Sequence, residues 1–202
     1  YIVESRFTER DFSRFGVQHF LNKGVDVFVW DIMAIMNSKA AQAIDKSVAC
    51  GYRNIEYFEN QKALTKSIMQ LEGSVFILSF IPYHLNSFSL YRAMSIKGIS
   101  YSLIRAYTNI FADTAGIVSG SRSFIGILSK IISIMPLMNK LLTNIPLSVL
   151  GVSPAKFVFT GGLKSNVSDL LITEKTEIVP IHTLDYDEFL KEKPKPILNH
   201  DY

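Results

Sequence analysis

The chain has 202 residues, 48% of them apolar, a net charge of +3 and a single cysteine. That is apolar material enough for a sizeable core of one large domain. So small a positive excess, with no basic stripe interleaved with aromatics, excludes nucleic acid as the expected partner, and the lone Cys50 excludes an internal disulfide, which fits a reducing, cytoplasmic setting.

Taken in order, Ile2-Val3 reads as a short strand that empties into Glu4-Ser5-Arg6. Thr8 and Asp11 are spaced for a capping box, the hydroxyl accepting from an amide and the acid reaching back. Phe12, Phe15, Phe20 and Leu21 recur at helical spacing, and Lys23-Gly24 is a helix ending. Residues 25–32 are almost continuously β-branched and aromatic, as in a strand buried on both faces. The opening is therefore a β-α-β unit, but its first turn lacks the Gly-x-Gly-x-x-Gly of dinucleotide-binding folds.

Residues 33–52 are mixed, with a helical composition over Ala40 to Val48. Asn54 to Phe58 reads as a strand and Gln61 to Leu71 as a helix with Leu64, Ile68 and Leu71 on one face. Ser74 to Ile81 is the next buried strand, ending at Pro82-Tyr83-His84. Ser89 to Ile96 is a short helix closed by Lys97-Gly98, and Ile99 to Ala106 is again a strand. Strands alternating with helical stretches predict an α/β fold, a Rossmann-like, mainly parallel sheet with helices on both faces, in one domain over 1–202.

Residues 122–150 stand apart as an apolar, amphipathic helical insertion, with Lys130, Lys140 and Pro136 breaking any membrane span. Two readings fit: a buried helix pair on the sheet, or an apolar face dipped into a lipid surface with Lys and Arg at the headgroups. Beyond it, Lys156 to Thr160 and Thr176 to Ile181 are two more strands. The first empties into Gly161-Gly162-Leu163-Lys164-Ser165 and the second into His182, Asp185 and Asp187. Parallel strands place such loops together beyond their carboxyl ends, where ligands bind. The same residues also compose an ordinary glycine turn and a solvated helix start. Charge is uneven: six Lys/Arg face the single acid Asp113 between Tyr101 and Ser165, and eight Asp/Glu face four Lys from Asn166 onward. The chain opens at Tyr1 with nothing like a signal peptide, and is expected to be a piece of something longer.

Four stretches together resemble the amino-terminal, acceptor-side half of bacterial surface-polysaccharide (capsule or lipopolysaccharide) glycosyltransferases of the GT-B type. They are the opening strand with Glu4-Ser5-Arg6, the run Val27 to Asp31, the run Pro154 to Gly162, and His182 to Leu190 with its Asp185-Tyr186-Asp187. The resemblance implies a domain that binds a sugar or lipid-linked sugar acceptor. A nucleotide-sugar would come through a carboxyl-terminal domain outside this chain, as donor substrate; no cofactor and no metal are implied. It also implies a cytoplasmic protein, peripheral on the inner face of the membrane.

Glycosyl transfer needs a base for the acceptor hydroxyl and positive or dipolar groups for the leaving phosphate. The expected catalytic residues are His182 as base and Asp185 as the group that orients it. Glu4 is expected to bond sugar hydroxyls and Tyr83-His84 to stack on a ring. Arg6 and Lys164 would meet an anionic group, with Gly161, Gly162 and Ser165 lending amides. Asp187 would line the site or cap the following helix. Two other classes compete: a non-catalytic scaffold at the membrane surface, and a different α/β nucleotide-using enzyme. A scaffold would not need these residues to converge.

Overall fold

The structure is a computed structural model, and residues 1–43, 50–105, 144–161 and 169–182 are described here. Seven strands among them build one sheet: β1 (Ile2–Val3), β2 (Val29–Asp31), β3 (Ile55–Tyr57), β4 (Ile77–Ser79), β5 (Tyr101–Arg105), β6 (Phe157–Gly161) and β7 (Glu177–Ile181). Their order is β3-β2-β1-β4-β5-β6-β7 and every neighbouring pair is parallel. This is the doubly wound, Rossmann-like arrangement that the alternation of elements predicts, with a further strand at one edge.

The helices are α1 (Glu9–Arg14), α2 (Val17–Asn22), α3 (Met33–Met36), α4 (Ser38–Ala43), α5 (Gln61–Gln70), α6 (Leu85–Lys97) and α7 (Leu147–Leu150). Successive strand residues enter different cores, as the pleat demands. Ile2 and Trp30 join Leu64, Ile68, Leu90 and Tyr91 of α5 and α6 in one cluster. Val3 and Val29 join Phe7 and Val17 in the other. The connection from β1 runs toward one edge and that from β4 toward the other, so right-handed crossovers place their helices on opposite faces.

Several boundaries differ from the sequence expectation for identifiable reasons. The capping box at Thr8 and Asp11 forms, but the helix it starts stops at Arg14, because Gly16 takes a left-handed φ of 63° and restarts the chain as α2. The run from Val25 yields only a three-residue strand. The Val25 amide is taken by the Phe20 carbonyl at 3.1 Å, at the end of α2, before the ladder begins. β4 is likewise three residues long, because the two-residue β1 beside it gives it little to pair with. Conversely α6 begins four residues earlier than Ser89, capped by His84, which is not among the usual N-cap residues. In the 33–52 stretch α3 and α4 cover Met33–Met36 and Ser38–Ala43, and residues 44–48 of the helix expected from Ala40 lie outside the described residues.

Of the apolar insertion, residues 144–150 are described and 122–143 are not. There α7 turns Leu147 and Leu150 onto the main core and ends at Gly151, whose φ of 67° only glycine adopts readily. Among the described residues no helix is long and apolar enough to cross a membrane.

The two faces of α5 give a direct check on the core. Leu64 is 1% exposed within the main cluster, whereas Met69 on the same helix is 42% exposed. Leu64→Ala is expected to cost about 2–5 kcal/mol through lost transfer energy and the cavity left behind. Met69→Ala should stay within about 0.5 kcal/mol of wild type. Urea denaturation of the two variants measures both, and equal costs would show α5 packed in another register.

Candidate functional site

Because all the strands run the same way, every strand-to-helix loop leaves on one edge. The strand order reverses between β1 and β4, and the crevice of such a sheet opens there. Its walls are the loop after β1, Glu4-Ser5-Arg6, and the loop after β4, residues 80–84. Ile2 pairs with Ser79 and the Phe80 amide donates to the Ile2 carbonyl at 3.0 Å, so Glu4 lies level with Ile81.

The Ile81 carbonyl anchors this crevice. It accepts from the Tyr91 hydroxyl and, at 2.9 Å, from Nη2 of Arg105 at the end of β5. Tyr91 also shares a hydrogen bond of 2.8 Å with Ser79. Arg105 in turn donates through Nε at 3.2 Å and Nη2 at 2.8 Å to Oδ2 of Asp169. The other oxygen, Oδ1, receives the Leu171 amide at 3.0 Å. One guanidinium thus ties the ends of β4 and β5 to the segment before β7. Glu4 stands at the rim, its side chain open to solvent, yet surrounding protein raises its carboxyl above the usual range while Arg105 pulls the other way.

His84 is fixed by its role as cap of α6. Its Nδ1 accepts the Asn86 amide at 3.2 Å and its own amide donates to Ser87 Oγ at 2.9 Å. With the Nδ1 lone pair so used, the proton of the neutral ring sits on Nε2, and His84 presents a donor, not a base. Burial lowers its pKa further, and a helix N-terminus also disfavours a cation. Tyr83 is half-buried with its ring edge-on to Tyr91, 5.9 Å between centroids. Its hydroxyl is buried and has no hydrogen-bond partner among the described residues, and burial raises its pKa.

Arg6 is directed elsewhere. Its Nη1 lies 3.3 Å from Oδ2 of Asp31 at the end of β2, and its guanidinium covers the Tyr57 ring at 4.7 Å. Asp31 is 2% exposed, and its Oδ1 accepts the Met33 amide at 3.0 Å to start α3. Burial raises its pKa, opposed by the Met33 amide, by Arg6 and by the Phe7 amide.

Of the residues expected to form one site, the structure brings Glu4, Tyr83 and His84 to the switch point. Arg6 follows Glu4 but is engaged with Asp31. His182, exposed just after β7, and Gly161 at the end of β6 share the carboxyl edge, since Gly161 pairs with Ile181. They belong to its far side: β7 is four steps from β1 in the sheet order, about 19 Å at roughly 4.8 Å per step. Asp185, Gly162, Lys164, Ser165 and Asp187 lie outside the described residues. Sequence reasoning missed Arg105, Asp169, Asp31 and Tyr57. Arg105 and Asp31 were findable, being the charged residues that end two strands. Asp169 was not, because its partner is 64 positions away.

Among the described residues no three His, Cys, Asp or Glu side chains are grouped to hold a metal ion. Comparison with protein-family models, with characterised proteins and with solved structures returns no match. What the sheet order and its switch-point crevice define is an α/β domain of the Rossmann-like class.

Two outcomes test this geometry. Asp169→Ala leaves Arg105 unpaired and half-buried at the crevice, and is expected to cost about 3 kcal/mol, read as a lowered denaturation midpoint. A loss under about 0.5 kcal/mol would mean that solvent replaces the pair. The pKa of His84 is depressed in the folded state, so the unfolded chain binds the proton more readily. Its stability contribution is present above its ordinary value of 6.5 and is lost as pH falls below that. His84→Asn, which keeps a capping side chain without a titrating ring, should flatten that part of the profile between pH 7.5 and 5 and hold the cap to within about 1 kcal/mol. An unchanged profile would assign the acid sensitivity to other groups.

Proposed function

We propose that this domain is the acceptor side of a metal-independent glycosyltransferase of the GT-B type, acting in bacterial surface-polysaccharide biosynthesis. The observation that supports it best is the switch-point crevice, where the loop carrying the rim carboxylate Glu4 lies beside the loop carrying the His84 imidazole and Tyr83. Such a set suits a sugar, whose hydroxyls both donate and accept. In this reading Glu4 accepts from an acceptor hydroxyl and serves as its base, because the Nδ1 of His84 is already used in capping α6. His84 donates through Nε2, and Arg105 keeps the loop in place. The nucleotide-sugar is delivered by a second domain, and a lipid-linked acceptor would hold the protein at the inner face of the membrane. His182 would act only on a substrate reaching across to β7.

The test is a titration of the isotope-labelled chain with N-acetylglucosamine, galactose and octyl glucoside, followed by amide NMR shifts. Shifts should concentrate in residues 4–6 and 82–84, and Glu4→Gln should weaken binding about tenfold, the scale of a lost charged hydrogen bond. Shifts confined to other loops, or affinity unchanged in Glu4→Gln, would overturn the reading.

A further inference from the structure

Glu4, Ile81 and Arg105 stand in one row across the carboxyl edge. Ile2 pairs with Ser79 and Ser79 with Leu103, so the residues two places on are level with one another at the ends of β1, β4 and β5. Every second residue of a strand shares a face, and Ile2, Ile81 and Leu103 all lie in the main core. The row therefore belongs to the α6 side of the sheet. The Nη2 of Arg105 has already crossed one strand to reach the Ile81 carbonyl at 2.9 Å. β1, which carries Glu4, is one further step away, about 4.8 Å. Arg105 nevertheless does not take Glu4. Four of its five N–H groups are committed: Nε and Nη2 to Oδ2 of Asp169, Nη2 again to Ile81, and Nη1 to the Ile104 carbonyl at 3.0 Å. No hydrogen bond or ion pair from a described residue reaches the Glu4 carboxylate, although Arg105 is the charge that acts on it.

We infer that Asp169 is a positioning residue: by holding the Arg105 guanidinium, it keeps that cation from closing on Glu4 and leaves the rim carboxylate free for a ligand hydroxyl. Two carboxylates compete for one guanidinium, and burial decides between them. The Asp169 side chain is 9% exposed, and losing its cation would leave a buried charge unpaired. Glu4 is open to solvent, and water serves it at little cost. The Leu171 amide on Oδ1 fixes Asp169 from its other side. Remove the charge at 169, and Glu4 is the carboxylate on which Arg105 already acts. An exposed pair there returns little stability, so the cost of losing Asp169 and the capture of Glu4 occur together. The other titratable groups at this edge are Tyr83 and His84 after β4, Tyr91 of α6, and Arg6, which Asp31 holds. The inference rests on the switch-point reading for its ligand, but not for the competition itself.

The experiment follows the side-chain carboxyl carbon of Glu4 by NMR as pH is varied, on the full chain without ligand. Asp169→Asn removes the competing charge and keeps an acceptor for the Leu171 amide. The Glu4 midpoint should then fall by about one pH unit or more, the effect of an opposite charge close by. Asp169→Glu should hold the wild-type midpoint, and adding Arg105→Gln to Asp169→Asn should bring it back up. Arg105→Gln alone should move it by less than about half a pH unit, since that guanidinium is engaged elsewhere. An unchanged Glu4 midpoint in folded Asp169→Asn overturns the inference. So does a rise of a full pH unit in Arg105→Gln alone, which would show the guanidinium paired with Glu4 from the start. If Asp169→Asn does not fold, Arg105→Gln decides the question by itself. None of these titrations needs a sugar, which separates the two readings. A Glu4 midpoint that follows Asp169 in a protein that binds no saccharide keeps the positioning role and removes the sugar. Saccharide binding that depends on Glu4, with a midpoint indifferent to Asp169, does the opposite.

Discussion

The carbonyl of Ile81 has two donors, the phenol of Tyr91 and the guanidinium of Arg105, and much of the crevice depends on that pairing. A carbonyl at the end of a short strand has no ladder partner beyond it, and left unpaired in a buried position it would cost about 1–3 kcal/mol. Tyr91 comes from α6 and Arg105 from β5, so satisfying one acceptor fixes the loop, the helix and the next strand against one another. Because Arg105 also reaches Asp169, the strands on that side inherit the same anchor. Tyr83 and His84 are then held by backbone that has little freedom left. A binding site gains from this, since side chains placed on fixed backbone lose less entropy when a ligand arrives.

Asp31 does the matching work on the other side of β1. A carboxylate 2% exposed is costly, and it is sustained here by the Met33 amide and by Arg6. Those two contacts start α3 and fix the loop after β1. The consequence reaches β3, because Arg6 cannot leave the Tyr57 ring without leaving Asp31 as well. Two charged side chains, Asp31 and Arg105, therefore organise the two halves of the carboxyl edge, one on either side of the point where strand order reverses.

The sheet itself was legible because its central parallel strands are buried and leave short apolar runs bounded by turn residues and alternating with helical stretches. Strand lengths were not, since they are set by partners: β2 stops where β1 and β3 stop. The capping box at Thr8 was visible as spacing, whereas the cap at His84 was hidden by residue type. Glu4 and His84 could be placed on one edge from their positions after strands. That they share the switch point while His182 does not depends on the order of strands, which hydrophobic pattern does not encode. Arg6 shows the limit on the side-chain level: a cation in a loop reads as a free anion binder until a buried partner from another strand, Asp31, is known.

The first turn also departs from that of dinucleotide-binding sheets. In dinucleotide-binding sheets glycines bring the backbone and a helix N-terminus onto a diphosphate. Here the equivalent turn holds Glu4, Arg6 and a buried Phe7. The helix it leads into, α1, opens on a capping box: Asp11 accepts the Thr8 amide at 3.0 Å, and Thr8 accepts the Asp11 amide. An internal carboxylate at that N-terminus occupies the place of an external anion and repels one. With an internal carboxylate at that end and the glycines absent, α1 lacks the features by which dinucleotide-binding sheets hold a diphosphate. What the crevice gathers instead is Glu4, the His84 imidazole, Tyr83 and the Arg105 guanidinium, the last already committed to Ile81 and Asp169.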